Sequence, residues 1–315
     1  MKVTGLGIAA VGSCTSAAPM SALSVDEAAL RDTLARGGLI GEDLDDQYCL
    51  LCDRATAGAP IALSGRLVLD RIGVGRIHAY HAVHCGDHPL SALGTLAAHL
   101  AVDPAARRGL VLAPAHESRP AAAGLVLEKG LTRHRLLAVS ARDHRASTRP
   151  HPDVRVVPGP ARARVGAVGG TGGGTRVVAG GEIRRHEPGR SAVATMVDRV
   201  NASWREHHGE CLRDAPIAVS AVIAQTLRQA GIAWSTIDHV ALHTPSAETN
   251  RAFRRHFGLQ RHRVTDIGPE TGHPRAAGLL IATRMVLESN HPTGTRVLLT
   301  SLGGTGAVAA AVVEI

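Results

Sequence analysis

Hydrophobic positions along this chain follow two alternating spacings. Short apolar runs of strand length are separated by stretches where apolar residues return every three or four positions, the period of one helix face. Residues 1–12, with Val3, Leu6, Ile8 and Val11, predict a first strand, and 26–37 an amphipathic helix begun by Ser24 or Asp26. A strand over 47–52, a helix over Ala62–Asp70, a strand over Arg76–Val83 and a helix over 90–101 follow. Strands over 109–113, 121–127 and 135–140 come next, then a Gly-, Pro- and Arg-rich stretch over 141–180. Beyond it the pattern predicts helices over 191–206 and 215–230, a strand over 238–243 and a helix over 247–257. A helix over 275–288 and strands over 296–301 and 306–314 end the chain. Strands alternating with helices in this way argue for an α/β fold with layered sheets.

The same layout occurs twice. Leu34, Gly38, Leu44 and Asp45 are matched by Leu227, Gly231, Ile237 and Asp238, each pair 193 positions apart. Asp87-His88-Pro89-Leu90-Ser91-Ala92 is echoed by Gly272-His273-Pro274-Arg275-Ala276-Ala277, each opening a helical stretch. Arg108-Gly109-Leu110-Val111-Leu112 is echoed by Arg296-Val297-Leu298-Leu299-Thr300. The repeat implies two similar halves, 1–165 and 166–315, packed about a pseudo-twofold axis. An active site is expected where they meet.

Composition narrows the function classes. At 315 residues the chain is long enough for two sub-domains and a large core, and no apolar run reaches the roughly 18 residues of a membrane span. Val11-Gly12-Ser13-Cys14 has the look of a lipoprotein cleavage site, but the glycine-broken segment before it reads as a strand. Five cysteines, an odd number without framework spacing, suit a reducing compartment, and a cytoplasmic location is expected. The net charge of +8 sits entirely within residues 131–190, where twelve arginines face Asp143, Asp153, Glu182 and Glu187. With no aromatic residue in that stretch to stack on bases, nucleic acid is not expected as a partner. The stretch reads either as a solvated connector or as a docking face for an acidic protein.

Three residues stand out for chemistry. Cys85 follows a strand and precedes the helix that starts near His88-Pro89; a thiol beside a helix N-terminus feels the positive dipole end, which favours thiolate. His243 ends the strand 238–243, at the edge where α/β proteins present functional groups. His273 begins the following helix. Other patterns are less specific. Gly5, Gly7 and Gly12 depart from dinucleotide spacing, and Cys49-Leu50-Leu51-Cys52 has metal-ligand spacing but no second pair. His207-His208-Gly209-Glu210-Cys211 reads as a solvated helix end rather than a metal site. The run Gly169–Gly174 lacks the Lys-Ser/Thr of a phosphate loop. No metal site is expected.

With those residues in hand the chain resembles the thiolase superfamily, and most closely the β-ketoacyl-acyl-carrier-protein synthase III family. Ile237-Asp238-His239-Val240-Ala241-Leu242-His243-Thr244-Pro245-Ser246 resembles the strand that ends in that family's catalytic histidine. Thr271-Gly272-His273-Pro274-Arg275-Ala276-Ala277 stands where the family has Gly-Asn-Thr-Ser-Ala. Val297 to Ala307, with Gly303-Gly304-Thr305-Gly306, resembles the closing glycine-rich turn, and Ala79 to Cys85 the strand delivering the nucleophile. The resemblance implies a thiolase-like fold of two pseudo-twofold-related halves in α-β-α-β-α layers. It also implies Cys85 as acyl acceptor, His243 and His273 as donors to the thioester oxygen of a malonyl group, and an oxyanion hole from the amides of Cys85 and Gly304.

The departures are equally specific. His273 replaces the family's asparagine and makes the set Cys-His-His. Gly86-Asp87-His88-Pro89 follows the cysteine in place of small-Gly-Phe, and the Thr-Gly-Ile-Arg segment that helps bind coenzyme A is not visible. The resemblance implies no permanently bound cofactor; an acyl-coenzyme A or acyl carrier protein thioester would be the substrate. An acyl carrier protein is the expected partner, with a homodimer, or a heterodimer with a related ketosynthase, as the expected assembly. Carbon–carbon bond formation in fatty-acid or polyketide assembly is the first reading. Acyl transfer to a hydroxyl or amine is the second, and a non-catalytic subunit of a ketosynthase heterodimer the third.

Overall fold

A computed structural model describes residues 1–16, 21–44, 47–52, 67–81, 89–115, 121–143, 219–244, 247–267, 275–302 and 307–315. The strands are β1 (Leu6–Thr15), β2 (Gln47–Leu51), β3 (Ile77–His81), β4 (Arg108–Ala115) and β5 (Ala121–Lys129), then β6 (Arg135–Asp143), β7 (His239–His243), β8 (Val264–Thr265), β9 (Arg296–Leu302) and β10 (Ala307–Glu314). The helices are α1 (Ala22–Gly37), α2 (described over 67–71), α3 (Pro89–Val102), α4 (described over 219–230), α5 (Ala247–His256) and α6 (Arg275–Glu288). The strands form one hydrogen-bonded sheet in the order β3-β2-β4-β5-β1-β6-β10-β9-β7-β8.

That order reads as one five-strand unit and its rotated copy. From either edge inward the first three strands are parallel, β3-β2-β4 and β8-β7-β9, and the next two are antiparallel, β5-β1 and β10-β6. The copies meet where β1 pairs with β6 at Gly7 and Arg135. The division expected at 165/166 lies outside the described residues; by pairing, β6 is the counterpart of β1.

The duplication extends to hydrogen bonds. Thr33 in α1 and Thr226 in α4, 193 positions apart, are both fully buried, and their hydroxyls donate to Ala29 O at 2.7 Å and Val222 O at 2.8 Å. The helices end at Gly38 (φ 62) and Gly231 (φ 73), in the left-handed region where glycine carries no Cβ penalty. The residue after each glycine closes the cap, Leu39 N to Leu34 O and Ile232 N to Leu227 O.

Alternation along the strands sends side chains to an outer core on each half and to one shared inner core. One set joins α1 to the outer face of the first half, with Leu30, Leu34, Cys49, Leu110 and Leu112. Another joins α4 and α5 to the outer face of the second, with Ile223, Leu227, Phe253, Leu298 and Val312. The opposite faces of both halves share one core with α3 and α6, which includes Leu93, Leu96, Leu125, Leu279, Leu299 and Val313. Each of these helices packs on strands of both halves, α3 on β2, β4, β6 and β10 and α6 on β1, β4, β5, β7 and β9. The layers are therefore α-β-α-β-α, as the resemblance implied.

Two local expectations shift, and the reading of Cys49-Leu50-Leu51-Cys52 as a core strand holds. Gly5 at φ 67 separates the first residues from β1, which runs Leu6–Thr15 rather than from residue 1; Lys2 makes only an isolated bridge to Ala138. The cap of α1 is Ser21, whose hydroxyl accepts from Ser24 N, so neither Ser24 nor Asp26 starts the helix. Cys49 and Cys52 join different cores and do not converge, and burial pushes the Cys49 thiol up to about 12. The helix expected over 191–206, the Gly169–Gly174 run and the 207–211 cluster lie outside the described residues, as does the Arg-rich stretch beyond residue 143. Among the described residues no helix is long and apolar enough to cross a membrane, and no three His, Cys, Asp or Glu side chains gather as metal ligands.

Gly12 and Gly124, paired across β1 and β5, lie under Thr33 of α1. A Cβ at Gly12 would overlap the Thr33 backbone nitrogen, and one at Gly124 would lie 2.5 Å from its hydroxyl. Gly12 of the first strand thus serves helix–sheet approach. Gly12→Ala is expected to lower stability by about 1–3 kcal/mol through overpacking. The check is a lower urea midpoint at unchanged m; an unchanged midpoint would show that α1 does not need this close approach.

Candidate functional site

Of the residues singled out for chemistry, only His243 lies among the described residues. It is the last residue of β7 and only 5% exposed. Val240 and Leu242 point to the outer core and Ala241 to the shared inner one, so alternation turns His243 toward the α3–α6 layer. Its β9 partner is Ser301, which is fully buried, and the next residue, Thr244, is 1% exposed.

Cys85, His273 and Gly304 fall in 82–88, 268–274 and 303–306, outside the described residues. The flanking elements are described. Strands β7, β8 and β9 are parallel, so their C-terminal ends share one edge of the sheet. His243 ends β7, the 268–274 segment follows β8, and 303–306 joins β9 to β10. In the first half the segment holding Cys85 follows β3 and runs to Pro89, the first residue of α3. Because β3 and β8 are counterparts, as are α3 and α6, Cys85 and His273 occupy equivalent segments of the two halves.

Sequence reasoning missed β8 and the polar groups beside it. A two-residue strand leaves no periodicity to read, and Arg261-His262-Arg263 and Asp266 on either side hide it further. Asn250, 4% exposed on α5, donates to Asp266 Oδ2 at 2.6 Å and so ties α5 to the start of the His273 segment. The signal was present: Thr249 and Asn250 share the buried side of α5 with Phe253, where an apolar stripe is the usual content. At the other end of β7, His239 Nε2 lies 2.8 Å from the Thr265 hydroxyl. Burial, with the neighbouring His291, Arg263 and His262, lowers His239 to about 4.

The fold is that of the thiolase superfamily. It superposes on 3-oxoacyl-[acyl-carrier-protein] synthase III from Aquifex aeolicus with a TM-score of 0.67 at 13% identity, covering 99% of this chain and 100% of that one. It is equally similar to AbyA1, a tetronic acid condensing enzyme (TM-score 0.67, 15% identity, 98% and 99% covered). ChlB3, described as an acyltransferase, matches at TM-score 0.66 and 18% identity, with 99% and 98% covered. Within that fold the particular likeness is to synthase III: residues 227–315 match the family described as 3-oxoacyl-[acyl-carrier-protein (ACP)] synthase III C terminal. The matched segment runs from the end of α4 through β10 and contains His243, His273 and Gly304. No curated protein matches the chain by sequence.

Two outcomes follow from the described geometry. Asn250→Ala strips the half-buried Asp266 carboxylate of a donor, and its expected cost in urea unfolding is about 1–3 kcal/mol; no loss would mean that α5 and the segment after β8 are held by other contacts. As pH falls, the unfolded chain takes up the His239 proton first, because the folded value lies below the ordinary 6.5. Stability is therefore full above about pH 6.5 and declines toward pH 4. His239→Gln should flatten that decline; equal slopes in variant and wild type would remove His239 as its source.

Proposed function

We propose that this chain is an acyl-thioester enzyme of the synthase III type, with Cys85 as nucleophile and His243 and His273 as its two imidazole donors. The observation that carries the reading is the pairing of equivalent segments: Cys85 and His273 precede the two helices of the shared inner layer, and His243 ends the strand beside β8. The family match over 227–315 supports the histidine end.

In the first step the Cys85 thiolate adds to the carbonyl of an acyl-coenzyme A or acyl carrier protein thioester, and the amides of Cys85 and Gly304 receive the oxyanion. The carrier thiol leaves and an acyl-cysteine remains. In the second step a malonyl-type thioester loses carbon dioxide. The enolate oxygen is held by His243 and His273 while its carbon attacks the acyl carbonyl, forming the new bond and returning Cys85 as thiolate. Imidazole suits this role because a ring N–H can donate to an oxyanion as an asparagine amide does. Acyl carrier protein is the proposed partner and a dimer the proposed assembly, with the basic residues of 131–190 as an electrostatic match for an acidic carrier.

A second reading is transfer of the acyl group to a hydroxyl or amine, with a histidine as general base. The likeness to ChlB3 and the replacement of asparagine by His273 both favour it. In the third, the chain is a non-catalytic subunit of a ketosynthase heterodimer.

Intact mass after incubation with a panel of acyl thioesters separates the readings. An adduct on wild type that Cys85→Ala lacks is expected; no adduct from any donor would leave only the non-catalytic reading. Carbon dioxide release from malonyl thioester by the acylated protein marks condensation, and its absence alongside ester or amide product marks acyl transfer. His273→Ala is expected to slow carbon dioxide release by about 10²–10³, the usual cost of one oxyanion donor, while still accepting the acyl group.

A further inference from the structure

At the end of the molecule away from the His273 segment, the last turns of α1 and α6 meet β1 and the turn over 130–134 that joins β5 to β6. They enclose a groove of about 380 Å³. The groove lies at the C-terminal end of α6, and thirteen residues of helix at about 1.5 Å each separate its two ends. It is therefore distinct from the Cys85–His243 site and independent of the activity proposed for it.

Four charged side chains at this groove form a closed ring. Asp32 lies 2.9 Å from Arg36 Nε and 3.3 Å from Arg284 Nη1, and Glu288 contacts both arginines, with Arg284 Nε at 3.0 Å. Asp32 is fixed further by the Ser13 amide at 2.9 Å, while Arg284 also donates to the Ser13 hydroxyl at 2.8 Å. Glu288 is the loosest member, its side chain 46% exposed against 30% for Asp32 and 23% for Arg284. The ring is neutral. Arg133 lines the same groove and forms no ion pair among the described residues, so the groove carries one positive charge in excess.

The backbone shows why Arg133 is there. His134, next to it, has φ 47, the only left-handed non-glycine residue among the described residues, and its carbonyl accepts the Ile8 amide at 3.0 Å. Gly7 permits that approach: a Cβ on it would lie 2.7 Å from the Arg133 carbonyl. These contacts hold the backbone at Arg133, whose exposed side chain lines the groove, and a held, sparsely populated conformation beside a charged groove is a pointer to a ligand.

We propose that this groove binds a phosphomonoester, whose phosphate takes the place of the Glu288 carboxylate between Arg36 and Arg284 and adds Arg133 as a third partner. Glu288 already shows that the two guanidiniums receive an exposed oxyanion. Arg36 belongs to the last turn of α1, where the dipole favours a cation whether or not a carboxylate is near, and Arg284 is held one turn before the end of α6 by Asp32 and the Ser13 hydroxyl. The planar fork of arginine suits phosphate oxygens. Charge selects the class: with Asp32 in place, a dianion neutralises Arg36, Arg133 and Arg284, whereas a monocarboxylate leaves the excess that Glu288 leaves. The volume exceeds that of inorganic phosphate and admits a small organic group on the ester oxygen.

The test uses inorganic phosphate and glycerol phosphate as probes, with chloride at equal ionic strength, and reads melting temperature and ³¹P line width on the intact chain. Expected is a saturable rise in melting temperature with either phosphate, line broadening on binding, and no such rise with chloride. Arg133→Ala should melt like wild type in buffer and lose the saturable rise. Glu288→Ala, which removes the competing carboxylate, should bind about fivefold tighter. Phosphate acting no differently from chloride, or Arg133→Ala saturating like wild type, would overturn the proposal. So would equal affinity in Glu288→Ala, which would show that phosphate does not displace the carboxylate.

Discussion

The described structure depends on two helices, α3 and α6, that are packed between the two halves. In α3, Leu90, Ala92, Leu93, Leu96, Ala97 and Leu100 are all buried, and in α6 Ala277, Leu279, Leu280, Ile281, Ala282 and Val286 are too. Each packs on strands of both halves and so is covered on two faces. One five-stranded sheet covers one face, so each helix needs the sheet of the other half as well. Neither half can bury its own inner helix alone, which makes the two halves a single folding problem. Small residues set the distances: a Cβ on Gly94 of α3 would lie 3.2 Å from a Val139 methyl on β6, and at Gly109 a Cβ would collide with Leu96. Glycine inside a helix costs about 1 kcal/mol against alanine. At Gly94 that cost secures contact across the junction between the halves.

Duplication also explains which parts were legible from sequence. Helix α6 is found at the boundaries its periodicity predicts, and the 193-residue offset between α1 and α4 extends to equivalent buried threonines. These features are local, or repeat local features, so composition and spacing reveal them. His243 was legible for the same reason, as a polar residue at the end of an apolar strand. Strand β8 was not, because a two-residue strand is defined by its neighbour β7 and not by its own side chains. Nor was the Gly12–Thr33 approach, in which a glycine is required by a helix twenty positions on. The Arg36–Asp32–Arg284–Glu288 ring joins residues about 250 positions apart and carries no sequence signature at all.

A pseudo-symmetric frame has to be broken to become a catalyst. The segments that precede α3 and α6 are counterparts in the frame, yet one holds Cys85 and the other His273. The older echo survives beside them: His88-Pro89 matches His273-Pro274, so the first half keeps a histidine at the position equivalent to His273 and places its cysteine three residues earlier. On the proposed chemistry this asymmetry is what the reaction needs. A nucleophile and a proton donor cannot be the same residue, and two copies of either would leave the other role empty.

The same logic bears on β7 and its counterpart β2. β2 ends in Leu51 and β7 in His243, so only the second half presents an imidazole at that strand end. On the proposed chemistry, two donors from the second half and one thiol from the first would give a site that neither half contains. The buried inner layer then does more than stabilise. By forcing both sheets onto α3 and α6 it fixes the spacing between the elements that flank Cys85 and His273. An acyl group on a first-half cysteine could then be reached by an enolate held by second-half histidines. On this view catalysis and folding would draw on one constraint: the helices packed between both halves are the ones whose N-terminal segments carry the proposed chemistry.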